Sequence, residues 1–148
     1  MPSFWEADAR EDICRRVERL TPDAAAQWGK FTPSKMLAHL NDALRMASGD
    51  LPVAPRNTPL RFWPIKQLVI YVLPFPKSVP TAPELLARCD VAELKIEQSA
   101  FRGLANRVAA KSAGEAWPSH PAFGTLTHNA WGVLAWRHAD HHLRQFGV

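Results

Sequence analysis

The segment "WRHADHHLRQFG", residues 136–147, places His138, His141 and His142 within five positions of one another. His138 and His142 are four residues apart, the spacing that stacks two side chains one turn apart on a helix. Neutral imidazole nitrogen is a good ligand for a divalent transition ion, and this spacing can bring two rings to one ion. The chemistry on offer is therefore metal binding, provided a third ligand comes from another element. Peptidase chemistry of the HExxH kind is disfavoured, because Ala139 follows His138 where the catalytic glutamate would be needed.

Advancing about 100° per residue sorts the helix around these histidines into faces. Trp131, Leu134, Ala135, His138, His142, Gln145 and Phe146 fall on one side, Val133, Arg137, Asp140 and Arg144 on the other, and His141 at the margin. Two imidazoles on an apolar stripe are costly unless something satisfies them. A hydrogen-bonded core pair and a shared ion both do so, and the pair alone does not choose between them. His39, the one histidine on another long helix, lies at the edge of that helix's apolar stripe and brings the ion into contention.

The elements that must hold these residues are helical. One helix is expected over about 6–20, with Ile13, Val17 and Leu20 on one face and Cys14 beside them as a small core residue. The second, 32–48, has Thr32 as N-cap, Pro33 at its first position and Gly49 beyond its end, with Met36, Leu40, Ala43, Leu44 and Ala47 as its stripe. Eight prolines between 50 and 83 then forbid a long regular element, leaving a crossover with at most short helical pieces. A short helix from Pro64 through Leu73 is one such piece, although Val69, Ile70 and Val72 would also suit a strand.

The third long helix is read over 90–112, opened by Asp90 and Glu93 in capping-box spacing, with Val91, Leu94, Ile96, Phe101, Leu104 and Val108 inward. The fourth spans 127–146 and stops before Gly147. The expected fold is all-α, a single-domain four-helix bundle over 1–148 with a long Pro-rich crossover between the second and third long helices.

Composition excludes several classes. Hydrophobic residues at 47% and charged residues at 22% describe a globular chain. The net charge of +4 is scattered, with Arg15, Arg16 and Arg19 read as a solvated face, so no nucleic-acid partner is expected. The longest apolar run, "LVIYVL" at 68–73, is far short of a bilayer span of about 20 residues, so no membrane partner is expected either. The first ten residues lack a signal-peptide core, and Cys14 and Cys89 do not make a disulfide framework, so a cytoplasmic location with reduced thiols is expected. Trp136 and Leu143, flanking the stripe of the last helix, suggest a homodimer if both stay partly exposed.

"WGKFTPSKMLAHLNDAL", followed far downstream by "HPAFGTLTHNAWGVLAWRHADHHLRQFG", resembles the DinB/YfiT-like superfamily of candidate metalloenzymes, and within it the DUF1569 branch of unknown function. The similarity covers nearly the whole chain. It implies a four-helix bundle with an open metal site built from His39, His138 and His142, occupied by Ni²⁺ or Zn²⁺. It also implies chemistry on a small-molecule substrate, in some relatives with a low-molecular-weight thiol as co-substrate. A non-catalytic bundle with a structural or vestigial metal site is the reading from the other class.

A divalent ion held by three neutral nitrogens lowers the pKa of a water or thiol that joins it, so hydrolysis and thiol transfer are both chemically open. His120, in the loop before the last helix, His128, in its first turn, and His141 are expected to be non-ligands. Asp42 and Gln145 are candidates to orient ligand rings, with solvation the alternative for Asp42. Trp28, Phe123 and Trp131 are expected in the core.

Overall fold

The computed structural model describes residues 1–77, 80–88 and 92–148. Five helices follow in order, α1 (Ala7–Glu18), α2 (Pro33–Ser48), α3 (Ile65–Tyr71), α4 (Leu94–Ala110) and α5 (His128–Gln145). Short 3-10 turns lie at Pro59–Arg61 and Pro83–Leu85. Among the described residues there is no strand; an isolated bridge joins His120 to Gly124.

The helix ends follow from their capping residues. The Thr32 hydroxyl accepts the Lys35 N–H at 3.3 Å, and Gly49 leaves α2 with φ of 93°, a left-handed turn that glycine adopts without strain. Thr127 accepts the Ala130 N–H at 3.1 Å to start α5. The crossover is mostly irregular, and its one α-helix is α3, which settles the ambiguity at Val69–Val72 in favour of helix up to Tyr71.

The four long helices pack around one apolar cluster. The α2–α4 pairing is the most extensive; α1 lies against α4 and α5, and α2 also meets α5. Ile13, Met36, Leu37, Ile70, Phe101 and Leu143 are all fully buried in that cluster. Central position explains why α2 is buried nearly all round, including Leu37, Ala38, Asn41 and Met46, rather than along the narrow stripe its periodicity suggested.

Several expectations need correction. The third long helix begins at Leu94, because Glu93 is extended (φ −110°, ψ 127°) and caps nothing with its side chain. Asp90, Val91 and Cys89 lie outside the described residues. Arg88, which precedes the helix, bonds Glu97 of its first turn through its guanidinium at 2.7 Å. With that start, Leu94, Glu97, Phe101, Ala105 and Val108 face inward, and Ile96 points outward at 60% exposure.

On α5 the buried set also includes Val133, Ala139 and Leu143, because the helix meets α1, α2 and α3 on different sides. Leu143 is completely buried and Trp136 half-buried, which removes half of the basis for a homodimer. Arg16 is not a solvated residue either. It is buried, bonding Asp140 of α5 at 2.9 Å and the Val148 carbonyl at 3.0 Å. Among the described residues no helix is long and apolar enough to cross a membrane.

Candidate metal centre

The fold brings His39 of α2 against His138 and His142 of α5. One nitrogen from each lies within 4.8 Å of the others, and among the described residues they form the group of three able to hold a metal ion. The ring centroids make a near-equilateral triangle with sides of 4.8, 5.0 and 4.9 Å. His39 Nε2 and His138 Nε2 are 2.9 Å apart.

Two of the rings have their second nitrogen fixed. His39 Nδ1 lies 3.3 Å from the Leu85 carbonyl oxygen. A carbonyl only accepts, so Nδ1 carries the proton and Nε2 keeps its lone pair. His142 Nδ1 is 3.0 Å from Gln145 Oε1, while Gln145 Nε2 donates to the Trp28 carbonyl at 2.6 Å. That second bond fixes the amide's orientation, so Oε1 must be the acceptor, and His142 Nε2 also keeps its lone pair. Leu85 and Gln145 therefore set the tautomer that a metal ligand needs.

Electrostatics agree with the tautomers. Burial lowers the pKa of His39 from 6.5 to about 4 and that of His142 to about 3. His138 is pushed well below 6.5, by burial first and then by the neighbouring imidazoles. All three are neutral at pH 7 and present lone pairs rather than charges.

A rigid frame supports α2 beside His39. Asp42 accepts from Arg45 at 2.7 Å and from Arg88 at 2.9 Å, so it orients no imidazole and is not solvated. Glu97, opposed by burial, is nonetheless held below the usual carboxylate pKa by Arg88 and by Asn41 at 2.6 Å. Arg88 belongs to the segment just after the Pro83–Leu85 turn, so the same clamp holds the carbonyl that fixes His39.

The remaining histidines stay outside the trio. His141 is half-buried between Trp28 and Phe75, at 5.6 and 6.0 Å. His128 stacks on Trp5 at 5.0 Å. His120 accepts the N–H groups of Ala122 and Phe123 on Nδ1 at 3.1 and 3.2 Å, so its proton sits on Nε2. It shares with His138 a cavity of about 40 Å³ walled by Phe4, Leu44, Phe101 and Trp131. Trp131 and Phe123 are core residues as expected; Trp28 is half-buried.

Two contributors were not foreseen. Phe31 stacks on His39 at 5.5 Å and tilts against His142 at 5.6 Å, walling one side of the trio. Its signal was its place just before an N-cap, where apolar residues often fold back on the helix. The Leu85 carbonyl had no signal, because backbone acceptors carry no residue identity.

A protein family of unknown function, DUF1569, matches residues 5–147. The chain belongs to the DUF1569 family. The match takes in all three histidines of the trio together with Phe31, Leu85 and Gln145. No curated protein and no solved structure matches this DUF1569 chain.

Proposed function

We propose that His39, His138 and His142 hold one divalent transition ion, and that the chain is a single-domain, cytoplasmic metal-dependent enzyme of DinB-like four-helix architecture acting on a small electrophile. The observation that carries this reading is the convergence of three neutral imidazoles, two of them with the second nitrogen already tied down. The donor set fits such an ion. Three nitrogens suit nickel or zinc, whereas calcium and magnesium prefer oxygen. The 2.9 Å separation of the two Nε2 atoms is close to the roughly 3 Å between nitrogens that share one ion at about 2.0–2.1 Å.

The bound ion would keep its double positive charge and acidify a water or low-molecular-weight thiol beside it, the chemistry that hydrolysis and thiol transfer share. The chain's own part is to hold the imidazoles neutral by burial, to aim them through Leu85 and Gln145, and to shield one side with Phe31. The cavity beside His138 accepts a small apolar group of the substrate, with the His120 Nε2–H as a donor on its wall. No carboxylate serves as base within the trio, since Asp42 is taken up by Arg45 and Arg88.

One observation favours a second reading. At 2.9 Å a proton on His138 Nε2 satisfies His39 Nε2 without any ion, as in a non-catalytic bundle with a vestigial site. Elemental analysis of the purified chain, followed by thiol-consumption and hydrolysis assays with model electrophiles, separates the two. Metal at one ion per chain with turnover that His39→Ala abolishes supports the enzyme. Metal without turnover, or a chain that takes up no metal, rejects the enzyme and supports the second reading.

A further inference from the structure

Six of the nine strongly exposed large hydrophobic side chains among the described residues crowd into residues 62–73. They are Phe62, Trp63, Ile65, Leu68, Val72 and Leu73. Ile65 and Leu68 fall at i and i+3 and so share the outer face of α3, with Val72 just past its end, while Ile70 is fully buried on the inner face. Trp63 is 79% exposed, Val72 68% and Phe62 65%. A cluster of this kind on one short element is not the scattered exposure of an ordinary surface.

The charge of the same segment is as lopsided as its hydrophobicity. Between Leu51 and Pro83 there is no Asp or Glu, whereas Arg56, Arg61, Lys66 and Lys77 all lie there. That segment therefore holds an excess equal to the chain's whole net charge of +4. Their hydrogen bonds go to neutral carbonyls, Arg56 to that of Pro80, Arg61 to that of Pro121 and Lys66 to that of Thr125, although the Arg56 charge also acts on Glu84. Lys77 rests over the Trp28 ring at 4.7 Å. The first acids on either side are also engaged, Asp50 with Arg107 and Glu84 with the Ala54 N–H.

We infer that this face docks peripherally on an anionic lipid surface. A bilayer interface offers acyl depth for protruding aromatic and aliphatic tips and anionic headgroups for the cations around them. A second copy of the chain is a poorer match. A two-fold contact sets a patch against itself, and here it would set one segment that has four cations and no carboxylate of its own against another. The absence of a membrane-spanning segment bears only on crossing, and docking at the interface needs no span.

Cosedimentation of the full chain with phosphatidylcholine vesicles, with and without phosphatidylserine, tests this. The expected result is pelleting with the phosphatidylserine vesicles that weakens as salt is raised and is at least about ten-fold weaker on phosphatidylcholine alone. A Trp63→Ser/Val72→Ser double variant should bind at least about ten-fold less while keeping the wild-type melting temperature, since both side chains are exposed. Lys66→Gln should weaken binding about five-fold. No pelleting with anionic vesicles overturns the inference, as does pelleting that the double variant leaves unchanged. A dimer in sedimentation velocity that the double variant dissociates, with no vesicle binding, makes the face a self-interface instead. An acidic protein captured through the face without vesicle binding likewise overturns it.

Discussion

His39 Nε2 stands 2.9 Å from His138 Nε2, although 99 residues separate them in the chain. The contact forms where α2 packs against α5. It brings together two groups whose lone pairs would repel unless a proton or an ion lay between them.

Gln145 is expected to matter for metal affinity without being a ligand. Gln145→Leu removes the acceptor that fixes the His142 tautomer and should weaken zinc binding about 10–100-fold. Gly29→Ala should act in the same direction, because a Cβ there would meet Gln145 Nε2 at 2.7 Å and Gly29 has φ of +74°. Competition titration with a chromophoric chelator reads both; unchanged affinity in Gln145→Leu would remove Gln145 from the site.

The metal-free chain should lose stability as pH falls from neutrality. His39, His120 and His142 have folded pKa values of about 4, about 4 and about 3, below the usual 6.5, so the unfolded chain binds more protons in between. Their neutral burial costs nothing extra above pH 6.5, and stability then declines as pH drops toward 4, by up to about 1.4 kcal/mol per pH unit for each imidazole. Melting curves from pH 7 to pH 5 should show a steady fall, and a flat profile would mean that these rings are not buried neutral.

Arg88 ties the segment after the Pro83–Leu85 turn to both α2 and α4. Arg88→Ala leaves Asp42 and Glu97 buried with less compensation. Because the guanidinium is itself 40% exposed, the loss should be about 2 kcal/mol rather than the larger figure for a fully buried pair. Urea unfolding measures the loss. Zinc affinity should fall with it, since the same segment carries the Leu85 carbonyl.

Much of this arrangement was legible in the sequence where a local signal coincided with the tertiary outcome. The caps of α2 and α5 and the prolines of the crossover are short-range devices, and the structure uses them at the residues that carry them. His138 and His142 could be placed on one face because helical period alone decides it.

What stayed hidden depends on partners distant in sequence. The burial of Glu97 in the first turn of α4 goes with Arg88 and Asn41, which meet it from other segments. The burial of Arg16 answers to Asp140, more than a hundred residues on. A carbonyl such as that of Leu85 leaves no trace in any side-chain pattern, and the inward turn of Leu143 follows from α5 meeting three neighbours.

His141 offers a control within the same helix turn. Its ring lies between Trp28 and Phe75, outside the convergent trio. His141→Ala should therefore keep zinc affinity within a few-fold of wild type, as should His128→Ala, whose ring stacks on Trp5. A loss comparable to that of His39→Ala in either variant would mean that the ligand set is misassigned.

The central claim is that three imidazoles from α2 and α5 share one ion, and calorimetric titration of the chelator-treated chain with Zn²⁺ tests it most directly. The account predicts one ion per chain, a melting temperature that rises with zinc as binding to the folded state requires, and loss of both in His39→Ala and His138→Ala. No saturable binding in the wild-type chain, or one-to-one binding that survives both substitutions, would contradict it.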